Sequence, residues 1–118
     1  MIDQDYLVAW MRAFVFTQIV EAPIYWRLLR ASWVRSVLPS TITHPFVWFV
    51  FPLLSKLGVK WLFVVALAEL FAWLVEAAFF ALTGKVRVAW RRALFVSFVA
   101  NAASVVLGML SRELFGAP

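Results

Sequence analysis

Four apolar stretches, at 7–26, 34–54, 59–82 and 90–110, follow one another with only short polar gaps between them. Crossing the roughly 30 Å hydrocarbon layer of a bilayer takes about 20 helical residues, so each stretch is long enough to span. Backbone groups in lipid must be satisfied within the segment itself, which leaves helices as the natural solution. Short gaps make consecutive helices antiparallel neighbours. The sequence therefore predicts an all-α integral membrane bundle of four transmembrane helices, folded as a single domain over residues 1–118.

Composition supports this. Of 118 residues, 65% are hydrophobic and 14% charged, against roughly 45–50% and 25% in soluble domains. The net charge of +5 does not indicate nucleic acid, because the basic residues fall in the gaps and neither a basic patch with interleaved aromatics nor a recognition-helix pattern is present. With no cysteine, disulfides, thiolate metal sites and cysteine nucleophiles are excluded. The acidic start Met1-Ile2-Asp3-Gln4-Asp5 lacks the basic region of a signal peptide, so the first apolar stretch is expected to be retained.

Arg27, Arg30, Arg35, Lys85, Arg87, Arg91 and Arg92 cluster around the first and third gaps, whereas Arg12, Lys56, Lys60 and Arg112 fall on the other side. The positive-inside rule then places both termini outside. Trp26, Trp33 and Trp90 would line the cytoplasmic interface, and Tyr6, Trp10 and Trp61 the other. Trp48 and Trp73 read as deeper packing residues. The second stretch carries Pro39, Pro45 and Pro52, each of which removes a backbone donor. It is expected to be a kinked span or a broken helix, with a re-entrant hairpin as the alternative.

A weak internal repeat runs through the chain. F-T-Q-I-V-E-A-P-I-Y, from Phe16 to Tyr25, aligns with F-A-W-L-V-E-A-A-F-F, from Phe71 to Phe80. Glu21 thus matches Glu76. In the helix after each copy a serine stands one turn before a polar residue, as Ser40 before His44 and Ser97 before Asn101. Two repeated helical hairpins in the same orientation would follow.

Ionisable groups inside a span are costly, roughly 2.5–3.5 kcal/mol on insertion scales, and normally face the bundle interior. Glu21, Glu69, Glu76 and His44 are such groups. Helical spacing gives each helix one polar seam: Thr17, Gln18, Glu21 and Tyr25 on the first, Ser40, Thr41 and His44 on the second, Glu69 and Glu76 on the third, and Ser97, Asn101 and Ser104 on the fourth. Glu69 has no counterpart in the first half, where Phe14 stands. Pro23 and Pro45 would leave the carbonyls of Ile19 and Thr41 without their usual donors, and freed carbonyls of this kind bind cations in discontinuous helices.

This donor set suits a divalent metal ion such as Zn, Mn or Fe if His44 joins Glu21, Glu76, Asn101 and Glu69 as a ligand. It suits a proton equally well, carried on a buried glutamate, with His44 as relay. The structural alternative is that the seam only holds helices together, as small residues and amides do across membrane helices. Three functions follow: a small transporter built on a cation or proton site, working as a homodimer; a non-catalytic accessory or assembly subunit of a larger membrane complex; or an intramembrane enzyme. The enzyme reading is the weakest. No H-E-x-x-H, G-x-S-x-G or phosphate-binding glycine motif is present, and although the residue types resemble those of glutamate-dependent intramembrane proteases, their adjacent glutamates and second histidine are missing.

The segments V-E-A-P-I-Y, T-H-P-F-V-W-F, V-E-A and W-R-R-A-L-F-V-S-F-V-A-N-A-A-S resemble those of small bacterial polytopic membrane proteins. That resemblance implies a four-helix fold in a bacterial cytoplasmic (inner) membrane and brings no activity. In size and helix count the chain is also similar to the small multidrug resistance transporters, which work as dimers around a first-helix glutamate. Their surrounding motif is absent, so the likeness is one of architecture.

Overall fold

A computed structural model describes residues 3–85 and 87–116. The chain runs through α1 (Gln4–Leu28), α2 (Trp33–Phe49), a short α3 (Leu53–Lys56), α4 (Trp61–Leu82) and α5 (Trp90–Phe115). Four helical segments, with α2 and α3 counted as one, are long and apolar enough to cross a membrane. The protein is all-α, a four-helix bundle of the multi-pass membrane type.

Local sequence explains where the helices start and stop. The Asp3 carboxylate accepts from the Tyr6 backbone N–H at 2.8 Å to cap α1, and the Ser32 hydroxyl accepts from that of Arg35 at 3.2 Å to cap α2. These caps satisfy donors left free at a helix start. Gly116, at φ 66°, closes α5 in the left-handed conformation that glycine adopts without penalty.

The proline-rich second stretch is broken. Pro39 and Pro45 lie within continuous helix, but Pro52 brings no N–H to the ladder, and α2 ends at Phe49. The Phe51 N–H reaches back to the Phe46 carbonyl, those of Leu53 and Leu54 bond three residues back, and α3 follows. The span expected at 34–54 is therefore a helix over 33–49 with a separate turn. Trp48 consequently sits in the last turn of α2, where its carbonyl accepts from the Tyr6 hydroxyl, and not deep in the bundle as its sequence position suggested. Two of the other helices outrun their expected bounds, α1 covering 4–28 instead of 7–26 and α5 covering 90–115 instead of 90–110, while α4 covers 61–82 instead of 59–82.

Each helix packs against two others. α1 lies beside α2 and α5, and α4 lies beside the same pair. The glutamate-bearing helices α1 and α4 thus occupy one diagonal of the bundle, and α2 and α5 the other, the arrangement that two like-oriented hairpins produce. Buried alanines at 68, 72, 77, 93 and 100 let the helices approach closely, as small residues do between membrane helices.

The distribution of polarity is the reverse of a soluble domain. Leu62 is 76% exposed, Ile19 67% and Phe95 65%, while Glu21 and Glu76 are each 1% exposed. Soluble proteins almost never bury glutamate fully. An apolar exterior around a polar interior fits a lipid surround.

Candidate functional site

Beginning with the first helix, Glu21 and Tyr25 stand one turn apart on the inner face of α1. Both are buried. The Glu21 carboxylate accepts from the Ser40 hydroxyl of α2 at 2.6 Å and from the Ser104 hydroxyl of α5 at 2.6 Å. Across the diagonal, Glu76 of α4 accepts from the Tyr25 hydroxyl at 2.6 Å, the Thr43 hydroxyl at 2.7 Å and the Asn101 amide at 3.3 Å. Each glutamate is therefore held by side chains of neighbouring helices. Both glutamates border the same cavity, close enough for their charges to interact.

No lysine or arginine is among the hydrogen-bond partners of either carboxyl group in the described residues. Hydroxyls and an amide satisfy them instead. Such a network ties all four helices to one point, since removing a partner in a water-poor interior leaves a polar group unmet.

Residues that match in the sequence repeat make different bonds here. Ser40 and Ser97 occupy matching positions. Ser40 donates to Glu21, whereas Ser97 donates to the Trp73 carbonyl at 2.8 Å. Tyr25 matches Phe80, which has no hydroxyl. Only Glu76 thus receives a phenolic hydrogen bond from across the bundle.

A cavity of about 280 Å³ lies on one side of the carboxyl pair. Glu21, Glu76, Thr43 and Asn101 border it at mid-bundle, Thr17, His44 and Glu69 further along, and Ala9, Trp48, Gly108 and Arg112 towards the end that carries both termini. On the other side, Tyr25, Leu29, Ala77, Phe80, Ala81, Ala93 and Val96 form a dry cluster. The carboxyl pair sits at the foot of a one-sided funnel, closed towards the arginine-rich end.

Of the residues the sequence singled out, Glu21, Glu76, Asn101, Ser40 and Ser104 meet at the centre, joined by Ser97 through Asn101, whose amide donates to the Ser97 carbonyl at 2.9 Å. Thr17 borders the cavity. His44 and Glu69 border it too, but neither reaches the carboxyl pair by a hydrogen bond. The His44 ring packs among Trp10, Phe14 and Trp48, and its Nδ1 is buried without a partner.

Gln18 and Thr41 belong elsewhere. The Gln18 amide donates to the Val37 carbonyl at 2.9 Å and to the Thr41 hydroxyl at 3.1 Å, and Thr41 donates to Val37 at 2.7 Å. This is a separate α1–α2 clasp. Ile19 is on the exposed face of α1, Thr41 is exposed, and neither borders the cavity, so the proline-freed carbonyls do not make the expected cation site.

Nor do the acids and the histidine form a metal centre. Among the described residues no three His, Asp or Glu side chains converge closely enough to hold a metal ion. The Zn, Mn or Fe site expected from Glu21, His44, Glu76, Asn101 and Glu69 thus finds no support. Its likeliest oxygens are already occupied by hydroxyl donors, and the one imidazole is held aside by aromatic rings.

Tyr25 and Thr43 are hydrogen-bond partners of Glu76 outside the expected ligand set. Tyr25 lies on the polar face of α1. Thr43 lies at the helical spacing Ser36, Ser40, Thr43, a period that points to it in preference to Thr41. Compared with known proteins, the chain matches no family model, no curated protein and no solved structure.

Proposed function

We propose that the Glu21–Glu76 pair binds a single proton at the foot of the funnel, and that this site serves proton-coupled transport in a small multi-pass membrane protein. The burial of two carboxyl groups at one cavity carries this reading. Two carboxylates held together without a cation repel strongly in a low-dielectric interior, and one proton shared between them turns that repulsion into a hydrogen bond. Surrounding hydroxyls can donate to either carboxyl group, so the proton can move between them without stranding a polar atom.

A one-sided cavity gives such a site access to one aqueous face at a time. A bacterial inner membrane, with the arginine-rich end in the cytoplasm and both termini outside, completes the reading; the distribution of basic residues supports it. Proton entry would then be from the outer side.

In liposomes, an imposed pH gradient is expected to drive proton movement that Glu21→Gln and Glu76→Gln each abolish, while both variants keep the wild-type helix content. Infrared spectra should show a protonated-carboxyl band that the Glu21→Gln variant loses. If the double glutamine variant moves protons as wild type does, or wild type moves none, the reading fails.

A second reading is favoured by the completeness of the network, since every oxygen of the two glutamates can be satisfied internally. An accessory subunit held together by this seam would co-purify with a partner in mild detergent. In that case the conservative glutamine changes would alter stability alone.

A further inference from the structure

Glu69 is the acid that the central network does not use. It lies mid-span on α4, half-buried, with no hydrogen-bond partner among the described residues. It borders two spaces at once. One is the funnel. The other is an apolar groove of about 400 Å³ between α4 and α5, lined by Leu70, Trp73, Phe98, Ala102 and Val106.

Asn101 and Val105 also border both spaces. These residues form the wall that groove and funnel share, so the apolar groove on the outer surface lies directly beside a polar interior. A carboxyl group at that junction needs a partner, because an intramembrane acid left unpaired is costly. His44 has the same need. It is 8% exposed, borders the funnel, and its Nδ1 has no partner.

We propose that the groove and funnel together bind an aminophospholipid: the acyl chain lies in the α4–α5 groove, and the primary ammonium head enters the funnel between Glu69 and His44. The proposal names the substrate class for the cavity described above, and rests on the proton reading only for the coupling of the two. An ammonium has three donors and no acceptor. It can therefore serve both the Glu69 carboxylate and the His44 Nδ1, when His44 carries its proton on Nε2. A trimethylated head has no N–H to give either of them.

The phosphate has a counterpart in Arg112. This exposed arginine borders the funnel near the termini, two helical turns, about 10 Å, along α5 from Val105. Acid within and base at the mouth match a zwitterion whose ammonium enters first. An anionic lipid without an amine meets the arginine but leaves Glu69 unpaired, and its own charge is repelled by that acid.

The test is lipid retention by native mass spectrometry, with protein purified in mild detergent and equilibrated with phosphatidylethanolamine, phosphatidylcholine and phosphatidylglycerol of identical acyl chains. One phosphatidylethanolamine should be retained with about tenfold preference over the other two. Glu69→Gln should remove that preference, and Ala102→Trp, which fills the groove, should lower retention of the lipid itself. Added phosphoethanolamine should compete where phosphocholine does not.

Equal retention of the three lipids by wild type, or unchanged preference in Glu69→Gln, overturns the proposal. Preference for phosphatidylglycerol overturns it too, and assigns the bound lipid to the arginine-rich end. If Glu69→Gln fails to fold, Ala102→Trp and the headgroup competition still decide the matter. The infrared band of the Glu21–Glu76 pair is read separately, so loss of lipid preference and loss of the proton site are distinguishable.

Discussion

Tyr25 reaches across the diagonal of the bundle to donate to Glu76, 2.6 Å away on a helix with which α1 shares no extended packing. The bond crosses the centre of the protein and is the only phenolic contact of either glutamate among the described residues. Tyr25→Phe leaves the ring in place against Phe80, at a centroid separation of 4.7 Å, and deletes only the hydroxyl's bonds, to Glu76 and, at 3.4 Å, to Ser97. Measured interhelical hydrogen bonds in membrane proteins average about 0.6 kcal/mol and reach about 1.7. The loss here should lie near the upper value, because Glu76 is fully buried, and it is read from unfolding in mixed micelles.

Thr43 and Thr41 are two residues apart and should respond differently. Thr43 donates to Glu76 at 2.7 Å, and Thr41 donates to the backbone of its own helix at 2.7 Å. Thr43→Val should cost about 1 kcal/mol and shift the carboxyl infrared band, whereas Thr41→Val should cost a few tenths and leave the band in place. Equal effects on the band would show that the network does not centre on Glu76.

Arg35 links the start of α2 to the end of α4. Its guanidinium donates to the Thr83 hydroxyl and carbonyl at 3.3 and 3.1 Å, and lies 5.0 Å from the Phe79 ring centroid. Gly84 makes room for it. At φ +90° a side chain there is strained, and a Cβ would come within 2.5 Å of Arg35 Nη1. Gly84→Ala should destabilise by about 1–2 kcal/mol, the penalty for an L-residue in left-handed backbone, and Arg35→Ala by about 1 kcal/mol, both measured by thermal unfolding in detergent.

The absence of cysteine makes the funnel directly measurable. Ala9→Cys and Gly108→Cys border the cavity and should react with a membrane-impermeant maleimide added on the side of the termini. Ala77→Cys, in the dry cluster at 0% exposure, should stay unlabelled from both sides. Labelling of Ala77→Cys as fast as Gly108→Cys would remove the seal.

The spans and the two central glutamates were legible in the sequence because lipid permits few solutions: length, apolarity and the cost of a buried charge fix them together. The partners of those glutamates were legible only in part. Ser40, Ser104 and Asn101 stand at helical spacing on their own helices. Which of two adjacent hydroxyls faces inward, Thr41 or Thr43, depends on how α2 is rotated, and a proline-rich helix carries no strong apolar stripe to set that rotation. The surroundings of His44 were not legible for a related reason. A histidine beside acids in sequence pattern suggests a ligand, but its ring is captured by Trp10, Phe14 and Trp48, aromatic neighbours that come from two different helices.

If the Glu21–Glu76 pair carries a proton as proposed, the closed half of the funnel also decides where a membrane voltage is felt. Field concentrates across the least polarisable stretch of a pathway, which here is the layer of Tyr25, Phe80 and the alanines beneath the carboxyl pair. A charge arriving at Glu21 and Glu76 from the open end crosses little of the potential, and most of the roughly 2.3 kcal/mol per 100 mV is met in leaving through that layer. In a proton transporter the cluster would be the insulator, and the opening of those few side chains the step at which an electrical gradient acts.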